Sequence, residues 1–160
     1  MKNSVYLETS IISYLAARPS RDLIVAAHQQ ITQDWWEIRN QWELVISALV
    51  ISECQAGDTK ASERRLSYIQ GLFLLRLNDE TINLAESLLQ GAALPTKAKD
   101  DALHIAIAAT YEINYLLTWN CKHIANANQR PTIENICRTA GYPPPIICTP
   151  EELLGDYHVE

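Results

Sequence analysis

The chain has 160 residues with 19 acidic and 13 basic side chains, a formal net charge of −6. This length suits one domain with one core spanning 1–160, and the charge argues against a broad basic surface that coats nucleic acid. The sequence contains no apolar run near the roughly 20 residues needed to cross a bilayer, and its first residues lack the apolar stretch of a signal peptide. The expectation is a cytoplasmic protein without a membrane association.

Strand and helix signals alternate along the chain. Val5-Tyr6-Leu7 is short, apolar and β-prone, and predicts a first strand. Thr9 and Ser10 offer caps for a helix over Ile11–Leu15. After the break at Pro19-Ser20, Asp22 can cap a long helix. Its positions Ile24, Ala27, Ile31, Trp35 and Ile38 step by three or four and predict one inward face. Glu43–Ile46 predicts a second strand, followed by a helix capped by Ser47 and ending at Gly57. Asp58 opens a helix that Gly71 stops. Phe73-Leu74-Leu75 predicts a third strand, and Asn78 or Asp79 caps a helix that Gly91 ends.

Beyond Pro95, the Ala-rich segment Lys99–Ala109 is apolar nearly all round past its first turn, which predicts a buried helix. Tyr115–Thr118 predicts a fourth strand. A helix around Pro131–Ala140 ends at Gly141. Ile146–Cys148 predicts a fifth strand, and Thr149-Pro150-Glu151-Glu152 is a capping box with proline at the first helical position. Alternating strands and helices predict a three-layer α/β/α sandwich around a mainly parallel sheet. A site in such a fold belongs outside the carboxyl ends of the strands.

Glu8 and Asn120 follow strands one and four at that edge. Glu53 lies in the apolar segment Ala48–Cys54, and Asp101 opens the Ala-rich helix. Carboxylates in apolar surroundings are costly unless paired or bound to cations, and hard oxygen donors suit Mg²⁺ or Mn²⁺. Each position also has an ordinary structural role available. Glu8 can cap a helix, Glu53 can face solvent, Asp100 and Asp101 can both complement a helix dipole, and Asn120 can serve a turn. Periodicity does not choose between Asp100 and Asp101, which lie about 100° apart around the helix.

The four cysteines at 54, 121, 137 and 148 form no C-x-x-C pair and read as mostly buried reduced thiols. A zinc site from His104, Cys121 and His123 has no diagnostic spacing. Trp35 belongs to the apolar stripe, whereas Trp36 lies off it and suits a dimer or partner contact. Lys97 and Lys99 precede Asp101, where they can guide a polyanion.

Val5-Tyr6-Leu7-Glu8-Thr9-Ser10 followed by Ser13-Tyr14-Leu15 resembles the opening of PIN domains. Ile51-Ser52-Glu53 resembles their second acidic position and Asp101-Ala102-Leu103-His104-Ile105-Ala106 their third. Thr118-Trp119-Asn120-Cys121-Lys122-His123-Ile124 resembles their closing segment. The matches run in order over essentially the whole chain, and Leu116–Leu154 looks like a VapC-like bacterial subfamily. The resemblance implies an Mg²⁺- or Mn²⁺-dependent endoribonuclease, the toxin of a type II toxin–antitoxin module, acting as a homodimer silenced by an antitoxin protein. It implies Glu8, Glu53 and Asp101 as metal ligands, with Asn120 holding metal through water or orienting the nucleophile. Thr9, Ser10, Thr118, His104 and His123 would support them. The implied reaction is in-line attack of activated water on RNA, leaving 5′-phosphate and 3′-hydroxyl ends. Two positions depart from the family pattern. Glu8 stands where most members have Asp, and His123 stands at the usual place of a late Asp. These departures imply a weaker or single-metal enzyme, with an inactive module that binds RNA or a protein partner as the alternative.

Overall fold

A computed structural model describes residues 1–91 and 94–155. Residues 92, 93 and 156–160 of the 1–160 span lie outside the described residues. Five strands form one sheet: β1 (Ser4–Leu7), β2 (Glu43–Ser47), β3 (Phe73–Leu75), β4 (Tyr115–Leu117) and β5 (Ile146–Cys148). Their order is β3-β2-β1-β4-β5, and every pairing is parallel. The chain winds outward from β1 to β3, then returns to the other side of β1 for β4. The order therefore reverses between β1 and β4, which opens a crevice at their carboxyl ends.

The helices are α1 (Thr9–Ala16), α2 (Leu23–Glu37), α3 (Ala48–Gln55), α4 (Thr59–Ile69), α5 (Asp79–Gln90), α6 (Lys99–Thr110), α7 (Arg130–Thr139) and α8 (Pro150–Leu154). Helices α1 to α4 contact one another and α8 packs on α2, while α5 contacts α6 and α7. These two groups cover the two faces of the sheet and make the expected three-layer sandwich. The buried centre of β1 (Val5, Tyr6, Leu7), Leu116 and Leu117 of β4, and Ile105–Ala109 of α6 form the middle of one hydrophobic core. No helix among the described residues is long and apolar enough to cross a membrane.

The start of α1 differs from the sequence reading. Its N-cap is Glu8, whose side chain accepts the Ser10 N–H, so Thr9 and Ser10 are the first helical residues rather than caps. The stripe on α2 also holds only in part. Trp35 is fully buried, but Ile24 and Leu23 are 70% and 86% exposed. The first turn of α2 extends past the elements beneath it, so periodicity there marks an apolar surface and not a core. Trp36, expected to be available for a partner, packs edge-on against Tyr68 and lies under the Arg39 guanidinium, 4.4 Å from its ring centre. Those intramolecular contacts explain an indole off the main stripe.

Gly91 caps α5 as expected, but for a different reason. Its φ is −77°, and a Cβ there would lie 2.6 Å from Ile136 Cδ1 on α7. The near neighbour is the end of the Ile136 side chain, not a left-handed backbone, so a side chain at 91 would have to displace it. Gly141, with φ of +93°, is the left-handed stop after α7. The Thr149 capping box forms with both of its hydrogen bonds and Pro150 at the first helical turn.

Candidate active site

The carboxyl ends of β1 and β4 hold a connected set of polar side chains. Glu8 leaves β1 at the sheet centre, and its amide donates to Leu117 O of β4. The side chain is only 6% exposed. Three donors saturate it. Thr118 Oγ1 donates to Oε1 at 2.6 Å, Ser10 Oγ donates to the same oxygen at 2.5 Å, and Ser10 N–H donates to Oε2 at 3.1 Å. These donors satisfy the nearly buried carboxylate without a salt bridge. Ser10 and Thr118 also tie down the β4 exit. Trp119 N–H donates to Ser10 Oγ at 2.8 Å, and Asn120 N–H donates to Thr118 Oγ1 at 2.9 Å.

Asn120 and Asp101 form the second part. Asn120 Nδ2 donates to Asp101 Oδ1 at 3.0 Å, while its Oδ1 accepts the His123 N–H at 3.1 Å. Of the two aspartates opening α6, Asp101 is half-buried at the site and Asp100 is exposed. Burial pushes the Asp101 carboxyl up, and the nearby Glu8 charge adds to it, against weaker lowering by His123, His104 and the Asn120 amide. Glu8 and Asp101 therefore share one electrostatic environment.

Glu53 reaches the site from α3. Its Oε1 accepts Thr9 Oγ1 at 2.6 Å and lies 2.6 Å from His104 Nε2. Burial would raise its pKa, but the His104 hydrogen bond, the imidazole's charge when protonated and the Thr9 hydroxyl outweigh it and hold the carboxyl below the ordinary value. His104 sits one turn after Asp101, yet its partner is Glu53 across the layer. This buried imidazole (1% exposed) also meets the Tyr6 hydroxyl, 2.7 Å from Nδ1. Tyr6 OH in turn is 2.8 Å from Ser47 Oγ.

All the candidate residues of the sequence analysis thus converge on one end of the sheet. Tyr6 and Ser47 were missed. A tyrosine within an apolar strand and a serine at a helix cap both read as structural, and only their phenol and hydroxyl positions in three dimensions connect them to the site. The zinc grouping does not form: His104 is buried against Tyr6 and Glu53, while Cys121 is exposed. Cys54, Cys137 and Cys148 are buried, and burial raises their thiols to about 11, 11 and 12. Such thiols are poor nucleophiles and metal ligands near neutral pH.

The donor chemistry fits a hard divalent cation. Three carboxylates stand at this end of the sheet, and the raised Asp101 carboxyl is of the kind that a nearby positive charge would lower. Among the described residues, no three His, Cys, Asp or Glu side chains are grouped closely enough to hold an ion together. The carboxylates are instead each set by hydroxyl, amide or imidazole donors around a shared volume.

The fold is an α/β/α sandwich on a five-stranded parallel sheet. Two solved structures share its fold. One is VapBC2 from Rickettsia felis, bound to a DNA fragment from its promoter. The TM-score is 0.60 at 16% identity, covering 91% of this chain and 98% of that one. The other is VapC20 of Mycobacterium tuberculosis, a Sarcin-Ricin loop cleaving toxin. The TM-score is 0.54 at 13% identity, covering 77% of this chain and 95% of that one. No family model matches the chain, and no curated protein matches it by sequence.

Proposed function

We propose that the chain is a metal-dependent endoribonuclease and the toxin of a type II toxin–antitoxin module. The observation that carries this reading is that Glu8, Glu53 and Asp101, with Asn120 on Asp101, all stand at the β1–β4 end of the sheet, each held by donors of its own. The fold shared with a toxin that cleaves the Sarcin-Ricin loop supports it.

On this reading, Glu8, Glu53 and Asp101 hold Mg²⁺ or Mn²⁺. Such an ion lowers the pKa of water it binds and offsets charge that develops on a phosphodiester. Thr9 holds Glu53, while Ser10 and Thr118 hold Glu8, so the ligands are fixed before the ion arrives. The substrate is RNA, and exposed Lys97 and Lys99 draw it toward the acidic crevice once cations occupy the site. The partners are an antitoxin protein and a second copy of the chain in a cytoplasmic complex. The exposed Leu23 and Ile24 suit such contacts better than Trp36 does.

The test is cleavage of a mixed single-stranded and structured RNA pool by antitoxin-free protein in Mg²⁺, Mn²⁺ or EDTA. Cleavage dependent on the metal and lost in Asp101→Asn and Glu8→Gln is the expected result. A second reading is a module that binds RNA or a protein without cleavage. The three protein donors on Glu8 favour it, because a cation that displaced them would break existing hydrogen bonds. Folded protein that cleaves nothing under any metal would establish that reading instead.

A further inference from the structure

A buried hydrogen-bonded chain runs from the core to one carboxylate of the site: Ser47 Oγ, Tyr6 OH, His104 and Glu53 Oε1, at 2.8, 2.7 and 2.6 Å in turn. Three elements other than Glu53's own contribute to it. Ser47 ends β2, Tyr6 lies in β1 and His104 in α6. Ser47, Tyr6 and His104 are all essentially inaccessible, at 0%, 0% and 1% exposure. A buried tyrosine hydroxyl and a buried imidazole are costly to leave unmatched, so each constrains the orientation of the next.

We infer that His104 is a positioning residue, locked by Tyr6 and Ser47 as the Nε2–H tautomer, and that it fixes Glu53 so that Oε2 faces the crevice.

One proton assignment with a neutral ring satisfies every contact of the chain. Ser47 Oγ accepts the Val50 N–H at 3.3 Å as the cap of α3, so its own hydrogen is free to point at Tyr6 OH. The phenol then donates to His104 Nδ1, which must be unprotonated to accept. Nε2 carries the remaining ring hydrogen and donates it to Glu53 Oε1. Thr9 Oγ1 donates to the same Glu53 oxygen. Both donors therefore occupy Oε1, and no protein donor among the described residues holds Oε2. The same serine thus caps α3, the helix that carries Glu53, and starts the chain that orients the Glu53 side chain. The backbone and the carboxylate of that ligand are set from one point. Glu53, Asp101 and Glu8 could share a crevice without this chain, but Glu53 would sample several rotamers on a surface-facing helix.

The inference rests on the proposed site, and the experiment separates the two. ¹⁵N NMR of the histidine rings at mildly alkaline pH reports the tautomer without any metal. Mn²⁺ titration followed by electron paramagnetic resonance reports affinity without any RNA. In the wild type, His104 is expected as a single Nε2–H tautomer. Tyr6→Phe keeps the ring but removes the hydroxyl, so a mixture of tautomers and several-fold weaker Mn²⁺ binding are expected. His104→Ala should weaken Mn²⁺ by about 10- to 100-fold, the usual size for removing a group that orients a ligand. His104→Gln, which can still offer an N–H to Glu53, should recover part of that loss. Should His104→Ala fail to fold, Tyr6→Phe and the wild-type spectrum still decide. A wild-type His104 protonated on Nδ1, or folded Tyr6→Phe with unchanged tautomer and Mn²⁺ affinity, overturns the inference. Wild-type protein that binds no Mn²⁺ overturns the metal site. In that event the tautomer and its response to Tyr6→Phe still decide whether the chain orients Glu53.

Discussion

Glu53 and Asp101 are both half-buried at the same end of the sheet, yet their acidities move in opposite directions. Burial raises both. Glu53 gains two donors on one oxygen, one of them an imidazole, and its pKa ends lower. Asp101 has one amide donor and the Glu8 charge nearby, and its pKa ends higher. Equal burial therefore predicts neither carboxylate; the partners decide. Glu53 is held by Thr9 and His104, whereas Asp101 has one neutral donor against its burial.

The largest effect that would sharpen this contrast is on cleavage. Glu53→Gln and Asp101→Asn are each expected to lower kcat/KM on the order of 100-fold or more, the scale of losing a charge-stabilising group. Initial rates at several Mn²⁺ concentrations check it. Excess metal should restore more activity to Glu53→Gln than to Asp101→Asn if Asp101 is the group that most needs the cation.

Stability should separate the two next. Removing the donor from Glu53 with His104→Leu leaves a half-buried carboxylate short of a partner and the Tyr6 hydroxyl unmatched. The expected loss is about 1–3 kcal/mol in urea unfolding. Asn120→Ala removes one neutral donor from Asp101 and should cost roughly 0.5–1.5 kcal/mol. Equal losses would break the contrast.

The pH dependence carries opposite signs. Glu53 is more acidic folded than unfolded, so its contribution is complete above the ordinary glutamate range. That contribution is lost as pH falls through the folded value. Asp101 is less acidic folded than unfolded, so its ionisation opposes folding above the folded value. Acidification through the window between its folded and unfolded values removes that opposition. Urea unfolding across the acid range should therefore show Glu53→Gln with a shallower loss of stability and Asp101→Asn with a steeper one than wild type. Saturating Mn²⁺ should erase the Asp101 contribution first. The smallest effect belongs to Cys121→Ser, an exposed thiol outside the network, which should change stability by less than about 0.5 kcal/mol.

Much of this was legible in the chain itself. The five apolar runs, the capping residues Asp22, Ser47, Asp58, Asn78 and Thr149, and the Ala-rich α6 are local signals. Each acts through its own backbone within a turn or two, so the structure repeats them closely. The candidate acids were legible as carboxylates set in apolar surroundings. Less legible was anything that depends on where an element ends up. The periodicity of α2 could not say that Ile24 would overhang the core. The spacing around Gly91 could not show the approach of Ile136.

The sequence by itself determined the alternation of elements, the sheet's parallel character and the identities of Glu8, Glu53, Asp101 and Asn120 as candidates, because these follow from local propensity and pattern. The tertiary structure left Asp100 exposed and Asp101 half-buried and used Glu8 as the cap of α1, and it alone joined Tyr6 and Ser47 to Glu53 through His104. The last of these requires side chains separated by 41 to 98 positions to meet within hydrogen-bonding distance, a contact that no local period can encode.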